Sequence, residues 1–148
     1  MRKENPTRYS SAVGEAWMHF SFKVRYCHNI FDIFGVRNAA KALLIQACKK
    51  YGIILAKVGF DSNHVHGRID INNFSRPQAA KMLRGYIARK LFILFPQIKK
   101  EYFWGSGLWN PAYYMNSVGK DIDFIDNYIM KQKYAIKEVT QIKLTAFC

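Results

Sequence analysis

The stretch His64-Val65-His66-Gly67-Arg68-Ile69-Asp70-Ile71 decides the fold, because its polar and apolar residues alternate as they do in a β-strand. Successive side chains of a strand point to opposite faces of the sheet, so the two histidines share one face and Val65 lies on the core face. Two imidazoles on one face can hold a divalent metal. They can equally be solvated polar residues, and a metal site needs at least one further ligand from elsewhere in the chain.

The segments on either side of this strand predict an α+β sandwich, in which an antiparallel sheet carries helices on one face, as in ferredoxin-like and RRM-like folds. A Ser75 N-cap with Gln78 three residues later predicts the start of a helix that Pro96 ends. We predict strands at about residues 17–24, 51–60 and 64–71, helices at about 38–50, 76–95 and 121–135, and one or two strands within 102–119.

Length and charge limit the class of protein. The 148 residues suit a single domain, 1–148, with a loose basic arm at about 1–12 and a weakly patterned tail at 136–148. The formal net charge of +13 favours a polyanionic partner, nucleic acid above all. No apolar run is long enough to cross a bilayer and no apolar signal segment follows Met1, so we expect no membrane partner and a cytoplasmic protein.

Two further sets of residues are candidates for function. Arg84, Arg89 and Lys90 lie off the apolar stripe of the second predicted helix, where they form either a solvated face or a phosphate-binding one. Tyr128 and Gln132 are four residues apart, so they share one face of the last predicted helix. If that face lies against the histidines, Gln132 could be a third metal ligand beside a tyrosine nucleophile; otherwise the tyrosine packs and the glutamine is solvated.

The chain resembles a known family once these motifs are taken in order. His64-Val65-His66 fits the HUH signature, and Tyr128-Ile129-Met130-Lys131-Gln132 fits the single-tyrosine motif of the TnpA-like transposases of the smallest bacterial and archaeal insertion sequences, a group that includes the REP-associated tyrosine transposases. The landmarks between them are similar too: Leu83-Arg84-Gly85, Ala88-Arg89-Lys90-Leu91-Phe92, Leu108-Trp109-Asn110-Pro111-Ala112-Tyr113-Tyr114 and Ser117-Val118-Gly119.

Three departures from the family pattern stand near the histidines. Arg25-Tyr26-Cys27-His28 replaces a more basic cluster, Asn63 replaces the usual aspartate before the first histidine, and Gly67-Arg68 interrupts the usual apolar continuation. These departures concern DNA contacts rather than chemistry, and Arg68 is a candidate phosphate contact beside the metal.

The resemblance implies a DNA transposase that cleaves and rejoins single-stranded DNA at insertion-sequence ends. Tyr128 would form a 5'-phosphotyrosine intermediate, and His64, His66 and Gln132 would hold Mg or Mn. The DNA would be a single strand that carries a hairpin. Arg68, Arg84, Arg89 and Lys90 are the candidate contacts to its phosphate backbone. The family also implies a homodimer whose active sites are shared between chains.

Two alternatives share part of this pattern. An HUH nickase of the replication or conjugation type would use the same chemistry on another substrate, although such enzymes usually need a longer chain. A non-catalytic nucleic-acid-binding protein of the RNA-recognition kind would need only the positive charge and the many aromatic residues.

Overall fold

A computed structural model describes residues 7–9 and 12–118, with side chains described from residue 15 onward. The strands are β1 (Thr7–Tyr9), β2 (Ala12–Gly14), β3 (Trp17–Lys23), β4 (Ile54–Phe60), β5 (His64–Asp70) and β6 (Tyr114–Ser117). The helices are α1 (Val36–Tyr51), α2 (Arg76–Leu94) and α3 (Pro96–Tyr102). None of the described helices is long and apolar enough to span a membrane.

Four of the strands form one antiparallel sheet in the order β4-β5-β3-β6. From β3 onward, the order of elements is strand, helix, two strands, two helices and strand, which gives the predicted ferredoxin-like arrangement. Strand β5 pairs on both sides, with β3 and with β4, so the histidine strand lies inside the sheet. The predicted α+β class is therefore confirmed, whereas the tyrosine helix predicted at 121–135 lies outside the described residues.

The hydrophobic core lies between one face of this sheet and helices α1 and α2. Phe20 and Phe22 of β3 and Val65 and Ile69 of β5 point into it and are almost fully buried. The predicted apolar faces of both helices meet them there, because leucine and alanine recur at helical spacing along each helix. Burial of this apolar surface is the main contribution to the stability of the fold.

The start of α2 agrees with the prediction, whereas the start of α1 does not. The capping box at Ser75 is present, since its hydroxyl accepts from the Gln78 N–H at 3.2 Å and the Gln78 side chain accepts from the Ser75 N–H at 2.9 Å. The predicted start of α1 at about residue 38 is too late. Gly35 precedes the helix instead, at a φ of +85° that glycine adopts without steric cost, and the earlier start adds Val36 to the core.

One prediction near the N-terminus also needs correction. Part of the predicted basic arm at 1–12 is a strand, because Thr7–Tyr9 pairs with Ala12–Gly14 and satisfies backbone groups that a loose arm would leave to water. In the aromatic stretch, residues 103–118 contain one short strand, Tyr114–Ser117, which agrees with the prediction of one or two strands, and an isolated bridge joins Trp109 to Val24. Pro96 ends α2 as predicted, but the chain turns at once into α3.

Candidate active site

The two histidines begin β5, directly after a tight turn from β4. The Asp61 N–H donates to the His64 carbonyl at 2.9 Å, and the Asp61 side chain accepts from the Ser62 N–H at 2.7 Å. The Val24 N–H donates to the Asn63 carbonyl at 2.8 Å, which ties the turn to the end of β3. The first histidine is thus fixed by backbone hydrogen bonds on both sides.

The hydrogen bond that His64 makes determines which of its nitrogens is available. Its Nδ1 lies 3.0 Å from Oδ1 of Asn63. An amide oxygen only accepts, so Nδ1–H must be the donor and the lone pair of the neutral ring is on Nε2. A metal-binding histidine is commonly oriented in this way, with its second ring nitrogen donating to an oxygen. Asn63 can therefore fill the place of the family's usual aspartate.

His66 lies on the same face as His64, as predicted, with 5.3 Å between the ring centroids. Both rings are buried, at 2% and 3% exposure, so the alternative of two solvated histidines is wrong for this structure. Among the described residues, His64 Nε2 and both ring nitrogens of His66 have no hydrogen-bond partner. Buried polar atoms without partners are costly, and a site that binds a ligand is one reason to keep them.

Burial also fixes the charge of both rings. It lowers the pKa of His64 to about 4, with Asp61 opposing the change and Lys23 adding to it. Burial, reinforced by His64, lowers the pKa of His66 to about 3. Both imidazoles are therefore neutral at pH 7, the form in which a histidine binds a metal.

The strand next to the histidines supplies polar neighbours that sequence reasoning missed. In the β3–β5 register, Ser21 lies opposite His66 and Lys23 lies opposite His64. Burial lowers the pKa of Lys23, while the Asp61 carboxylate partly opposes that change. The signal was in the sequence, since the alternation along Trp17–Lys23 places these two residues on the face away from Phe20 and Phe22.

The donor set suits half of a metal site. Within the part of the chain that the structure describes, no group of three or more His, Cys, Asp or Glu side chains could bind a metal. Tyr128 and Gln132, the predicted nucleophile and third ligand, both lie outside the described residues.

The predicted phosphate contacts are in different environments. Arg68 is on the histidine face, fully buried, with its guanidinium carbon 4.6 Å from the centre of the Trp17 ring. Arg84 is directed into the fold, where it donates to the Asn110 carbonyl at 2.8 Å and lies 4.8 Å from the centre of the Tyr113 ring. Burial lowers the pKa of Arg84. These contacts give both arginines structural roles, and DNA contact stays a prediction for them.

Arg89 and Lys90 are exposed on α2. Because α2 covers the sheet face opposite the histidines, these two cations belong to the helical layer rather than to the face that carries the histidines. Lys90 also lies 4.9 Å from the centre of the Tyr86 ring. A DNA strand that reached both Lys90 and the histidines would have to pass around the edge of the sheet.

The chain is similar to known transposases in sequence and in fold. The family model described as IS200-like transposase matches residues 12–132, a range that includes the histidine pair, Tyr128 and Gln132. The ISDra2 transposase TnpA of Deinococcus radiodurans is 29% identical over 116 residues, which cover 77% of this chain and 81% of that protein.

Two solved structures are similar in fold. A crystal structure of a protein assigned as a transposase from Deinococcus radiodurans R1 superposes with a TM-score of 0.68 at 25% identity, covering 88% of this chain and 99% of that one. A REP-associated tyrosine transposase bound to a REP hairpin superposes with a TM-score of 0.55 at 12% identity, covering 83% of this chain and 70% of that one. Since the family model spans most of the sequence, the chain belongs to the IS200-like transposase family.

Proposed function

We propose that this transposase cleaves and rejoins single-stranded DNA at the ends of an insertion sequence, using Tyr128 as the nucleophile. The observation that carries the proposal is the buried pair of neutral imidazoles with unpartnered nitrogens on the sheet face opposite α1 and α2. His64, His66 and Gln132 would hold a divalent ion, Mg or Mn. When bound, that ion would act as a Lewis acid on a phosphate oxygen and would orient the scissile bond.

The protein's own residues prepare this site before any DNA arrives. The Asn63 amide holds the His64 ring in the tautomer whose Nε2 can bind a metal. Burial keeps both rings away from water and uncharged. A rigid, neutral pair of nitrogen donors loses little conformational entropy when it binds.

Tyr128 would carry the covalent chemistry. Its phenol oxygen would attack the scissile phosphorus and lose its proton as the P–O3' bond breaks, and the leaving 3' oxygen would take up a proton. The product is a 5'-phosphotyrosine and a free 3'-hydroxyl. A 3'-hydroxyl from another strand would reverse these steps on the same phosphorus and release Tyr128. No bond energy is lost to water, so rejoining needs no nucleotide cofactor.

The form of the DNA is inferred from two observations. The net charge of +13 supplies a strong, sequence-independent attraction to phosphates. The structural neighbour that was solved with a REP hairpin has the same sheet and helix arrangement. We infer that this chain acts on single strands that carry a hairpin, as a homodimer in which the tyrosine of one chain works at the histidine pair of the other.

Two rival functions are less well supported. A non-catalytic RNA-recognition-type protein would explain the charge but would give no reason to keep unpartnered histidine nitrogens in a buried site. An HUH nickase of the replication or conjugation type would use the same residues. Terminal hairpins flanking the gene would favour the transposase over that nickase.

A covalent trapping experiment tests the proposal. The full chain is incubated with labelled single strands from its own genomic flanks, with Mn or Mg, and run on denaturing gels. We expect an adduct with the wild type, none with Tyr128→Phe, and severe loss with His64→Ala. Tyr51→Phe is a matched control, because it removes a hydroxyl from a tyrosine at the end of α1, outside both proposed sites, and it should form the adduct normally. An adduct that survives Tyr128→Phe would refute the choice of nucleophile.

Mixed dimers test whether active sites are shared. Tyr128→Phe and His66→Ala chains are each inactive by themselves in this account. When mixed, they should recover some cleavage, since one site of the mixed dimer then combines an intact tyrosine with an intact histidine pair. If co-purified mixed dimers show no recovery, each chain completes its own site.

A further inference from the structure

We propose that an exposed aromatic surface beside the histidine turn binds unpaired bases of the DNA strand. The aromatic surface consists of Arg25, Tyr26, His28, Tyr102 and Trp104. This inference rests on the proposed function, because it assigns a binding subsite to the single strand whose phosphate would be cleaved at the histidines.

The aromatic surface is held together by ring contacts between two separate segments. The His28 ring lies 5.8 Å from the Tyr26 ring and 5.0 Å from the Tyr102 ring, measured between centroids. It also lies 5.5 Å from the buried Phe103 ring, which anchors the group to the core. Such tilted and edge-on contacts are the preferred geometries of aromatic pairs. The rings therefore form an ordered group that is fixed by mutual contacts, rather than a chance set of exposed side chains.

Trp104 belongs to the same assembly through its loop. The loop is closed by the Ser106 N–H, which donates to the Phe103 carbonyl at 2.9 Å. Ser106 and Arg25 also hydrogen-bond Tyr26, and these bonds lower the pKa of its phenol. The Arg25 N–H donates to the Leu108 carbonyl at 2.8 Å, which joins the two segments at a second point.

The exposure of these rings needs an explanation. Trp104 is 87% exposed and Tyr26 is 61% exposed, whereas the core phenylalanines of β3 are buried. Large aromatic side chains left in water beside cations are typical of surfaces on which bases stack. Every base has a π-face, so such a platform accepts single strands with little sequence preference.

The backbone of the first segment is also unusual. Tyr26 and Cys27 have φ angles of +60° and +56°, in the left-handed region that side chains other than glycine seldom adopt. Consecutive residues in this region are costly and are found chiefly where function requires a particular geometry. Here the conformation places the Tyr26 ring at the surface rather than in the core.

Charge favours a nucleic acid over a protein as the occupant. The Arg25 guanidinium carbon lies 5.5 Å from the centre of the Tyr26 ring, and Lys99 and Lys100 lie on the adjoining α3 beside one acidic residue, Glu101. A cation next to a stacking ring can bind the phosphate that follows the stacked base.

Position connects the aromatic surface to the proposed cleavage site. Arg25 directly follows Val24, whose N–H donates to the Asn63 carbonyl, and the Asn63 side chain accepts from His64. A strand with its scissile phosphate at the histidines would carry its neighbouring nucleotides toward this surface. The site would therefore bind bases that flank the cleaved bond.

Binding of the oligonucleotide (dT)20 to the full chain tests the inference. Trp104→Ala should weaken binding on the order of tenfold, whereas Trp104→Phe, which keeps a ring, should bind within about threefold of the wild type. Phe34→Ala is the matched control, since Phe34 is 97% exposed and lies outside the aromatic surface, and it should bind normally. All of these proteins should bind an abasic strand of the same length with equal affinity.

Tryptophan fluorescence gives a second readout. Of the three tryptophans, Trp109 is buried and Trp104 is highly exposed, so stacking should quench chiefly Trp104. Saturating (dT)20 should quench the wild type, and most of that quenching should disappear in Trp104→Phe although binding persists.

Two results would overturn the inference: wild-type affinity for (dT)20 in Trp104→Ala, or an equal loss of affinity for the abasic strand. If the unchanged affinity came with a change of oligomeric state, the surface would be a protein contact. The covalent adduct assay, run on the same variants, separates the two proposals. Normal adduct formation by the wild type with unchanged (dT)20 binding by Trp104→Ala would refute only this inference.

Discussion

The face of the sheet that packs against α1 and α2 and the face that carries the histidines are made by alternate residues of the same strands. Phe20, Phe22 and Val65 occupy the first, and Ser21, His64 and His66 occupy the second. Both faces are buried. On the helix side, burial removes apolar surface from water and stabilises the fold. On the histidine side, it leaves ring nitrogens without partners in the described part of the structure.

This difference shows how one strand can serve both stability and chemistry. A buried imidazole without a hydrogen bond lowers the stability of the protein without its ligand. Proteins keep such groups where activity requires them, and compensate elsewhere in the fold. Gly67, between His66 and Arg68, lies where the backbone leaves no room for a side chain. A Cβ atom there would lie 2.2 Å from the Lys57 carbonyl oxygen and 3.0 Å from the Phe20 ring.

Removing a ring from the helix side should have the largest effect on stability. Phe22→Ala should lower the free energy of unfolding by about 3–5 kcal/mol, since it opens a cavity among Phe20, Trp109 and Tyr113. Urea denaturation followed by circular dichroism measures the change. A loss below about 1 kcal/mol would mean that this face is not the main source of stability.

Lowering the pH should destabilise the metal-free protein, because the buried histidines on the other face of the sheet resist protonation. Burial lowers the pKa of His64 to about 4 and of His66 to about 3, from 6.5. The unfolded chain therefore binds more protons than the folded one below pH 6.5, and stability falls as the pH falls toward those lowered values. Each histidine contributes a slope of at most about 1.4 kcal/mol per pH unit.

Thermal melting in EDTA between pH 7.5 and pH 5.5 measures this effect. A His64→Leu, His66→Leu double variant should lose clearly less stability over the same range. Identical pH dependence in the two proteins would show that the histidines are not the groups responsible.

Replacing one histidine by an apolar residue should have the smallest effect on stability. The sign of that effect should be opposite to that of Phe22→Ala. His66→Leu removes two unpartnered nitrogens at similar volume, so the metal-free protein should keep its stability or gain up to about 1 kcal/mol. DNA cleavage should be lost. Destabilisation as large as that of Phe22→Ala would mean that His66 serves the fold rather than a ligand.

Much of the fold follows from local signals that packing preserves. The period-two alternation of β3 and β5 and the apolar stripes of α1 and α2 agree with the sheet and its core, and the Ser75 capping box forms as predicted. Helix starts that depend on backbone conformation are harder to predict. Gly35 precedes α1 with a left-handed φ, and the periodicity of apolar residues does not indicate where such a helix starts.

The candidate site could be predicted only in part, for a similar reason. His64 and His66 are two residues apart, so strand periodicity alone places them together. Lys23 and Ser21 come close to them through strand register, which the alternation within β3 does not specify. The inward direction of Arg84 depends on the Asn110 carbonyl, a contact 26 residues away that charge patterning cannot show.

Metal binding by the whole chain tests the central claim most directly, that the histidine face of the sheet is half of a metal site. Calorimetric titration with Mn²⁺ should show one ion per wild-type chain and loss of that binding in His64→Gln and in His66→Gln. His28→Gln, which changes a histidine of the aromatic surface, should bind as the wild type does. Unchanged Mn²⁺ binding in both β5 variants would contradict the account.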